Sequence, residues 1–330
     1  MRFGILYNLV DSVQKGEDIE KLADNEIIDT VAAVKKALER AGHSAEFIRV
    51  NISEFHTFRK RFDFIFNLAE GIDGDITAEP MIAAELKKAG MGFTGSDEDA
   101  LTSCLDKLKT KEMLLKNHIP TPEFQLFKSV KEKRKPSLTF PLIVKPVHED
   151  ASIGINSSSV VHDDSQLMAK VSEILGLYKQ PALVEEFIDG REINAALLGN
   201  GDKVQVLPLS EIIFDFPEGV PRIVSFEAKW IEDSMQYKKT TGKCPAELPE
   251  NMKEKIISSA KRAFAIMGCK DYARVDFRIK GEDVFIIEVN PNPCINPEGA
   301  GFIRSAKAAG YSYDDLINRI AELAVARRSA

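Results

Sequence analysis

The stretch Tyr272–Pro293 (YARVDFRIKGEDVFIIEVNPNP) constrains this chain more than any other. Arg274, Asp276 and Arg278 alternate with Val275, Phe277 and Ile279, the period of two that marks a strand. A turn at Gly281-Glu282-Asp283 leads into a second strand, Val284–Asn290, apolar until Glu288 and Asn290. With three residues in the turn, Asp276 lies opposite Glu288 and Arg274 opposite Asn290, all on one face. Two carboxylates and an amide then converge beside an arginine. Carboxylates that close and partly buried repel each other unless a cation stands between them. Hard oxygen donors with room left for phosphate oxygens suit Mg²⁺. The competing reading is an exposed hairpin with solvated charges; the apolar run Val284–Ile287 argues for burial.

A chain of 330 residues has room for two or three domains and a sizeable core. Its net charge of -7, with no basic block, gives no electrostatic footprint for nucleic acid. The four cysteines (Cys104, Cys244, Cys269, Cys294) have no zinc or C-x-x-C spacing and read as reduced thiols. No apolar run approaches membrane-spanning length. The apolar stretch Phe3–Val10 contains Asn8 and runs into Asp11 without a cleavage-like site. The expected location is cytoplasmic.

Residues 2–8 read as a buried first strand. A helix follows with Asp24 as N-cap, Ile27, Val31, Val34 and Leu38 at helical spacing, and Gly42 as the stop. Strands at Glu46–Val50 and Phe62–Leu68 and a helix at Thr77–Ala89 complete a small parallel-sheet domain. No G-x-G-x-x-G follows its first strand, so a dinucleotide fold is unsupported. The loop Asn8–Gly16 and the turn Ala69–Asp75 leave the carboxyl ends of strands, where open α/β sheets bind ligands. Asp97–Asn117 is helical in pattern and ends at the linker Pro120-Thr121-Pro122. A strand ending Leu142–Pro146 runs into the polar loop Val147–Ser152. A helix at Asp163–Leu177 precedes a strand ending in Glu185-Glu186-Phe187-Ile188. Residues 190–215 alternate like sheet strands, Glu227–Glu247 reads as a long polar loop, and Pro249–Gly268 is helical. A last helix is capped at Ser312, with Leu316, Ile320 and Leu323 inward.

Lys107 and Lys145 are candidate phosphate clamps. An ammonium at the end of a buried strand must find an anion or reach water; the alternative is two snorkelling surface lysines. Glu185–Ile188 ends a buried strand whose backbone offers a donor and acceptor for a nucleotide base, with Glu192 in reach of a ribose. Ser96 lacks a G-x-S-x-G context, and the histidines show no metal spacing. Covalent catalysis is therefore disfavoured, and phosphoryl transfer by positioning and electrostatics fits better.

In order, the features DK, VKP, EEFIDGRE, EAKW, RVDF and EVNPNP resemble the ATP-grasp superfamily, and within it the D-alanine–D-alanine ligase family. The similarity runs over nearly the whole chain and is strongest from about Gly95 to Arg319. It implies an α/β (α+β) ATP-grasp fold: an N-terminal parallel-sheet domain over 1–96, a central subdomain over 97–189 and a C-terminal subdomain over 190–330, the last two clasping ATP. By position, Lys107 and Lys145 match the family's phosphate lysines, Glu185, Glu186, Phe187 and Ile188 its adenine segment, and Glu192 its ribose carboxylate. Asp276, Glu288 and Asn290 match the ligands of two Mg²⁺ ions, with Mn²⁺ as the alternative metal. Arg274 matches the arginine that steadies the acyl phosphate, Lys229 a mobile-loop lysine for the transferred phosphate, and Ser152 lies in the family's phosphate loop. The implied reaction joins a carboxylate to an amine at the expense of ATP, on small amino-acid-like substrates, without nucleic acid or membrane. Dimerisation is implied by the family alone.

The departures fall on the substrate side. The first loop, YNLVDSVQKGE, lacks the family's glycine-rich, glutamate-bearing signature. Asn67–Gly71 replaces its Leu-His-Gly, Ala151 stands for a phosphate-loop serine, Trp230 for a tyrosine, and Pro291–Gly299 for a small serine-bearing segment. Glu70 is the expected replacement for amine recognition, with Asp11 and Glu17 as alternatives. A ligase for a pair other than two D-alanines is the expectation, against a D-alanine–D-alanine ligase or a non-catalytic ATP-binding module. Arg274 argues against the module, since ATP binding alone does not need it.

Overall fold

The computed structural model describes residues 1–9, Gly16 and 27–329. Asp24, the expected N-cap, and Asp11 and Glu17 lie outside the described residues.

Three sheets organise the chain. Strands β1 (Arg2–Tyr7), β2 (Ser44–Arg49) and β3 (Phe64–Asn67) pair in parallel in the order β2-β1-β3. The Ile27–Arg40 helix buries Val31, Val34, Ala37 and Leu38 against this sheet, a stripe at helical spacing. Strands β4 (Phe124–Phe127), β5 (Leu142–Pro146), β6 (Val160–Val161) and β7 (Ala182–Glu186) form a second sheet, ordered β4-β7-β5-β6. The third contains β8 (Arg191–Leu198), β9 (Gln205–Val206), β10 (Ser210–Phe214), β11 (Thr240–Lys243), β12 (Tyr272–Lys280) and β13 (Asp283–Pro291), in the order β11-β10-β8-β12-β13 with β9 beside β8.

Period-two alternation gives the second and third sheets one apolar and one polar face. Leu142, Val144, Ala182 and Val184 pack with the Asp164–Leu177 helix, which leaves Lys145 and Glu185 on the opposite face. Ile193, Ala195, Val275 and Phe277 pack with the Glu250–Ile266 helix. Cross-strand pairing then puts Glu192 beside Arg278, Asn194 beside Asp276, Asp276 beside Glu288 and Arg274 beside Asn290 on the other side. Lys145 is electrostatically coupled to Glu288, Arg278 and Glu192, so the two polar faces look at each other across a cleft.

Three expectations are corrected. The β12–β13 turn holds two residues, because Lys280 pairs with Asp283. The register at the polar end is nonetheless the one expected: a bulge between the Phe277–Ile286 and Asp276–Glu288 pairs leaves Ile287 extra and restores it. The single helix over 97–117 is two, Glu98–Leu105 and Lys107–Lys116, because Asp106 leaves helical geometry and caps the Lys109 N–H. The segment 227–247 is not a loop throughout. It takes part in the short Phe226–Trp230 helix, then forms Met235–Lys238 and the edge strand β11.

Candidate active site

Lys107 opens the Lys107–Lys116 helix directly after its cap. Its ammonium donates to the Glu149 carbonyl at 2.6 Å and lies 3.2 Å from Asp150 and 2.8 Å from Glu288. Burial works against this cation, but Glu288 and Asp150 outweigh it and raise Lys107 above the usual lysine value. Lys145 meets Glu185 Oε2 in an ion pair. The other oxygen of Glu185 lies 2.5 Å from the ammonium of Lys111, which also donates to Thr121 Oγ1 at 2.7 Å. One carboxylate thus serves two lysines. Burial lowers Lys145 to about 8, with Lys107 and Arg278 adding to the fall and Glu288 and Glu192 opposing it. Burial and Lys145 together lower Lys111.

The Glu185 side chain is therefore turned to Lys111 and Lys145, which leaves only its backbone for another partner. Of the rest of that segment, the Glu186 and Phe187 N–H groups donate to the Glu123 and Pro141 carbonyls, and Ile188 is buried. Gly190 follows at a close approach: a Cβ there would stand 1.8 Å from the Ile279 carbonyl oxygen. Glu192 is buried, 2.7 Å from Arg278. Burial raises its carboxyl against the pull of Arg278.

At the polar end of the hairpin, Asp276 accepts four N–H bonds. Arg274 gives two at 2.8 Å, Asn194 one at 2.7 Å and Asn290 one at 3.0 Å. Burial works against the Arg274 cation, but Asp276 outweighs it and raises the guanidinium. Burial also pushes the Glu288 carboxyl up, yet Lys107, Lys145 and Lys229 hold it down at about 2. Among the described residues no three His, Cys, Asp or Glu side chains suit a metal ion. Asp276 and Glu288 are joined on this face by the Asn290 amide. The oxygens of these three side chains are hard donors of the kind Mg²⁺ takes.

Lys229 is half-buried on the Phe226–Trp230 helix, and no hydrogen bond or ion pair engages its ammonium among the described residues. Burial and Arg274 lower it, while Glu288 and Asp276 hold it up, which sets it close to the hairpin acids. Trp230 Nε1 donates to the Ala151 carbonyl at 3.0 Å, and Ser152 Oγ donates to the Val224 carbonyl at 2.7 Å. The loop after β5 and the 226–230 helix therefore close on each other. Ala151 and Ser152 both hold positive φ, 54° and 64°, a strained stretch for residues other than glycine.

Glu70 is exposed on its turn, its N–H bonded to Asn8 Oδ1 at 2.9 Å. Near it stands Glu79, the first residue of the Glu79–Lys88 helix. Burial, Glu70 and Asp150 push Glu79 well above the carboxylate range, and Asn292 opposes them. Three site residues escaped sequence reasoning. Lys111 sits four residues after Lys107, hence on the same helix face. Asn194 sits two after Glu192, on the same strand face. Both spacings were readable; nothing in the sequence pointed to Glu79.

Two polar sheet faces enclosing lysines, an arginine and hard oxygen donors define an ATP-grasp ligase, the class that forms amide bonds. The profile described as D-ala D-ala ligase C-terminus matches residues 113–322. An uncharacterized protein of Sinorhizobium fredii, y4sG, is 38% identical over 79% of this chain and 74% of its own. A D-alanine–D-alanine ligase of Bordetella avium is 31% identical over 86% of each chain. The D-alanine–D-alanine ligase of Bacillus anthracis, solved with ATP, shares the fold at a TM-score of 0.79 and 22% identity, covering 100% of this chain and 99% of that one. The chain belongs to the D-alanine–D-alanine ligase family. No helix among the described residues is long and apolar enough to cross a membrane.

Proposed function

We propose that the protein is an ATP-dependent carboxylate–amine ligase that works through an acyl phosphate, on a substrate pair other than two D-alanines. Three units divide the work: 1–96 carries one wall of the substrate pocket, 97–189 and 190–330 clasp the nucleotide. The observation that carries the reading is the convergence of Lys107, Lys145, Lys229 and Arg274 on the face that bears Asp276, Glu288 and Asn290. That much positive charge opposite hard oxygen donors suits a polyphosphate and little else.

In this reading Lys107 and Lys145 hold the ATP phosphates, the backbone of Glu186–Ile188 meets the adenine and Glu192 the ribose. Asp276, Glu288 and Asn290 hold Mg²⁺, which when bound neutralises phosphate charge. A substrate carboxylate oxygen attacks the γ-phosphorus and ADP departs, with Lys229 taking up charge on the transferred phosphoryl group. The amine then attacks the acyl carbon; phosphate leaves, the amine gives up a proton, and an amide remains. Arg274 is placed to donate to the charge that develops in this step. Ser152 fixes the phosphate loop, and Glu70, with Glu79 beside it, meets a substrate ammonium.

The test is phosphate release from ATP and Mg²⁺ across a panel of amino acids and amines, with products weighed by mass spectrometry. Release should require both a carboxylate and an amine, and the product should weigh their sum less one water. ATP binding without turnover across the panel would leave a nucleotide-binding module.

A further inference from the structure

Glu185 and Lys111 are the most deeply buried charged pair of the cleft, each side chain 2% exposed, whereas the Lys145 side chain is 10% exposed. The Lys111 ammonium has Glu185 as an ion-pair partner at 2.5 Å, donates to Thr121 Oγ1 at 2.7 Å and to the Pro122 carbonyl at 3.4 Å, and lies 5.3 Å from the centroid of the Phe124 ring. Thr121 in turn donates to the Ile286 carbonyl at 2.8 Å, next to the bulge that presents Glu288. A line of contacts thus runs from Lys145 on β5, through Glu185 on β7 and Lys111, to β13 of the facing sheet.

A single carboxylate cannot neutralise two ammonium ions. Of the two lysines, Lys111 is the more deeply buried, its side chain 2% exposed, and Lys145 at 10% is the one nearer the cleft. We propose that Lys111 is a positioning residue: by occupying Glu185 it leaves the charge of Lys145 uncompensated and available to nucleotide phosphate. Without Lys111, Glu185 and Lys145 become a closed one-to-one pair, and a phosphate must compete with a buried carboxylate for its lysine. The inference rests on the reading of Lys145 as a phosphate ligand.

The experiment measures affinity for ATP, ADP and adenosine with Mg²⁺ in the wild type, Lys111→Met and the double variant Lys111→Met/Glu185→Gln. Lys111→Met keeps the Glu185–Lys145 pair and the Thr121–Ile286 bond, so its melting temperature should not fall. Its affinity for ATP and ADP should drop about 10- to 100-fold, the worth of a hydrogen bond to a charged group. Adenosine, which carries no phosphate, should bind as before. Removing the competing carboxylate in the double variant should restore at least tenfold of the lost ATP affinity, measured against Lys111→Met. Unchanged ATP binding in Lys111→Met, an equal loss for adenosine, or no recovery in the double variant would each overturn the proposal. If Lys111→Met does not fold, Lys111→Gln is judged by the same criteria; failure of both to fold would make Lys111 a structural pillar only. A wild type that binds no ATP would refute the ligase reading itself, a result separate from any of these.

Discussion

Arg274 and Asp276 are bound to each other as well as to the site, and their substitution separates two roles. The Arg274 side chain is 18% exposed and grips both oxygens of Asp276. Replacing it by Met leaves Asp276 the amides of Asn194 and Asn290, so the carboxylate stays hydrogen-bonded and the fold should persist. Loss of one donor to developing charge costs roughly 2.7–4 kcal/mol in the barrier, so kcat should fall about 10²–10³-fold with ATP affinity little changed. Single-turnover kinetics and nucleotide titration check this; a variant that loses ATP binding instead would make Arg274 a nucleotide ligand. A second residue-scale prediction concerns pH. Burial lowers Lys145 to about 8 from 10.5, and Glu185, shared with Lys111, does not restore it. The unfolded chain then holds the extra proton between those values, so the cost of burying this cation is present below about 8 and fades as pH rises toward 10.5. Lys145→Met should therefore stabilise the unliganded protein at pH 7 and lose that advantage between about 8 and 10.5. ATP affinity of the wild type should weaken over the same window, as the free protein loses the charge that phosphate needs. Denaturation and ATP titration from pH 7 upward would show it; a flat profile for both would mean that Lys145 stays charged throughout.

At the scale of elements, the helix that carries Lys229 is tied to the loop after β5 by identifiable bonds: Trp230 to the Ala151 carbonyl, Ser152 to the Val224 carbonyl and the Phe226 N–H to the Ile155 carbonyl. The Trp230 bond is the one a single side chain supplies from within that helix, and the helix and the one after it have only five and four residues, too short to be stable alone. Limited proteolysis should cut between 231 and 242 in the free protein and spare that stretch with an ATP analogue and Mg²⁺. Trp230→Phe, which keeps the ring but not the donor, should speed the cut in the free protein; equal rates in all three samples would make the segment ordinary surface. Those short helices were invisible in the sequence because four or five residues cannot display a period of 3.6. The break at Asp106 was hidden for a related reason: the apolar pattern continues through it, and only the cap on Lys109 reveals the stop. The faces of the hairpin, by contrast, were legible residue by residue, since period two assigns every side chain. Ile287 marks the limit, because an extra apolar residue in an apolar run leaves no trace in the pattern. The Lys111–Glu185–Lys145 cluster needed the fold, since it joins a helix to two strands.

Across the whole molecule, the turn after β13 is joined to the 95–96 corner that follows the first sheet. The Gly95 N–H donates to Asp271 at 2.8 Å, Asp271 takes a bond from Arg327 at 2.9 Å, and the Ser96 N–H donates to Asn292 Oδ1 at 2.7 Å. Asn292 holds φ at 52°, and a side chain at Gly95 would stand 2.3 Å from its Oδ1, so the turn after β13 is locked against the 95–96 corner. Pro291 and Pro293 stiffen the same wall. The resemblance leads one to expect a small, serine-bearing segment there, and the stretch 291–299 instead carries an exposed Cys294. Among the described residues, Glu70 lies on the turn after β3 and Glu79 at a helix start. A site built to pair a substrate ammonium rejects mismatched ligands because its buried polar groups are left unpaired, a discrimination that reaches about 10⁴–10⁵. D-Alanine should accordingly be a poor substrate in both positions. The measurement is phosphate release and dipeptide formation with D-alanine, ATP and Mg²⁺, beside the best pair found in a substrate panel. Dipeptide synthesis slower than that pair by three orders of magnitude or more is the expected outcome, on the scale of discrimination such sites reach. Turnover of D-alanine above roughly 1 s⁻¹, an ordinary enzymic rate, would mean that the wall at 291–293 does not exclude D-alanine.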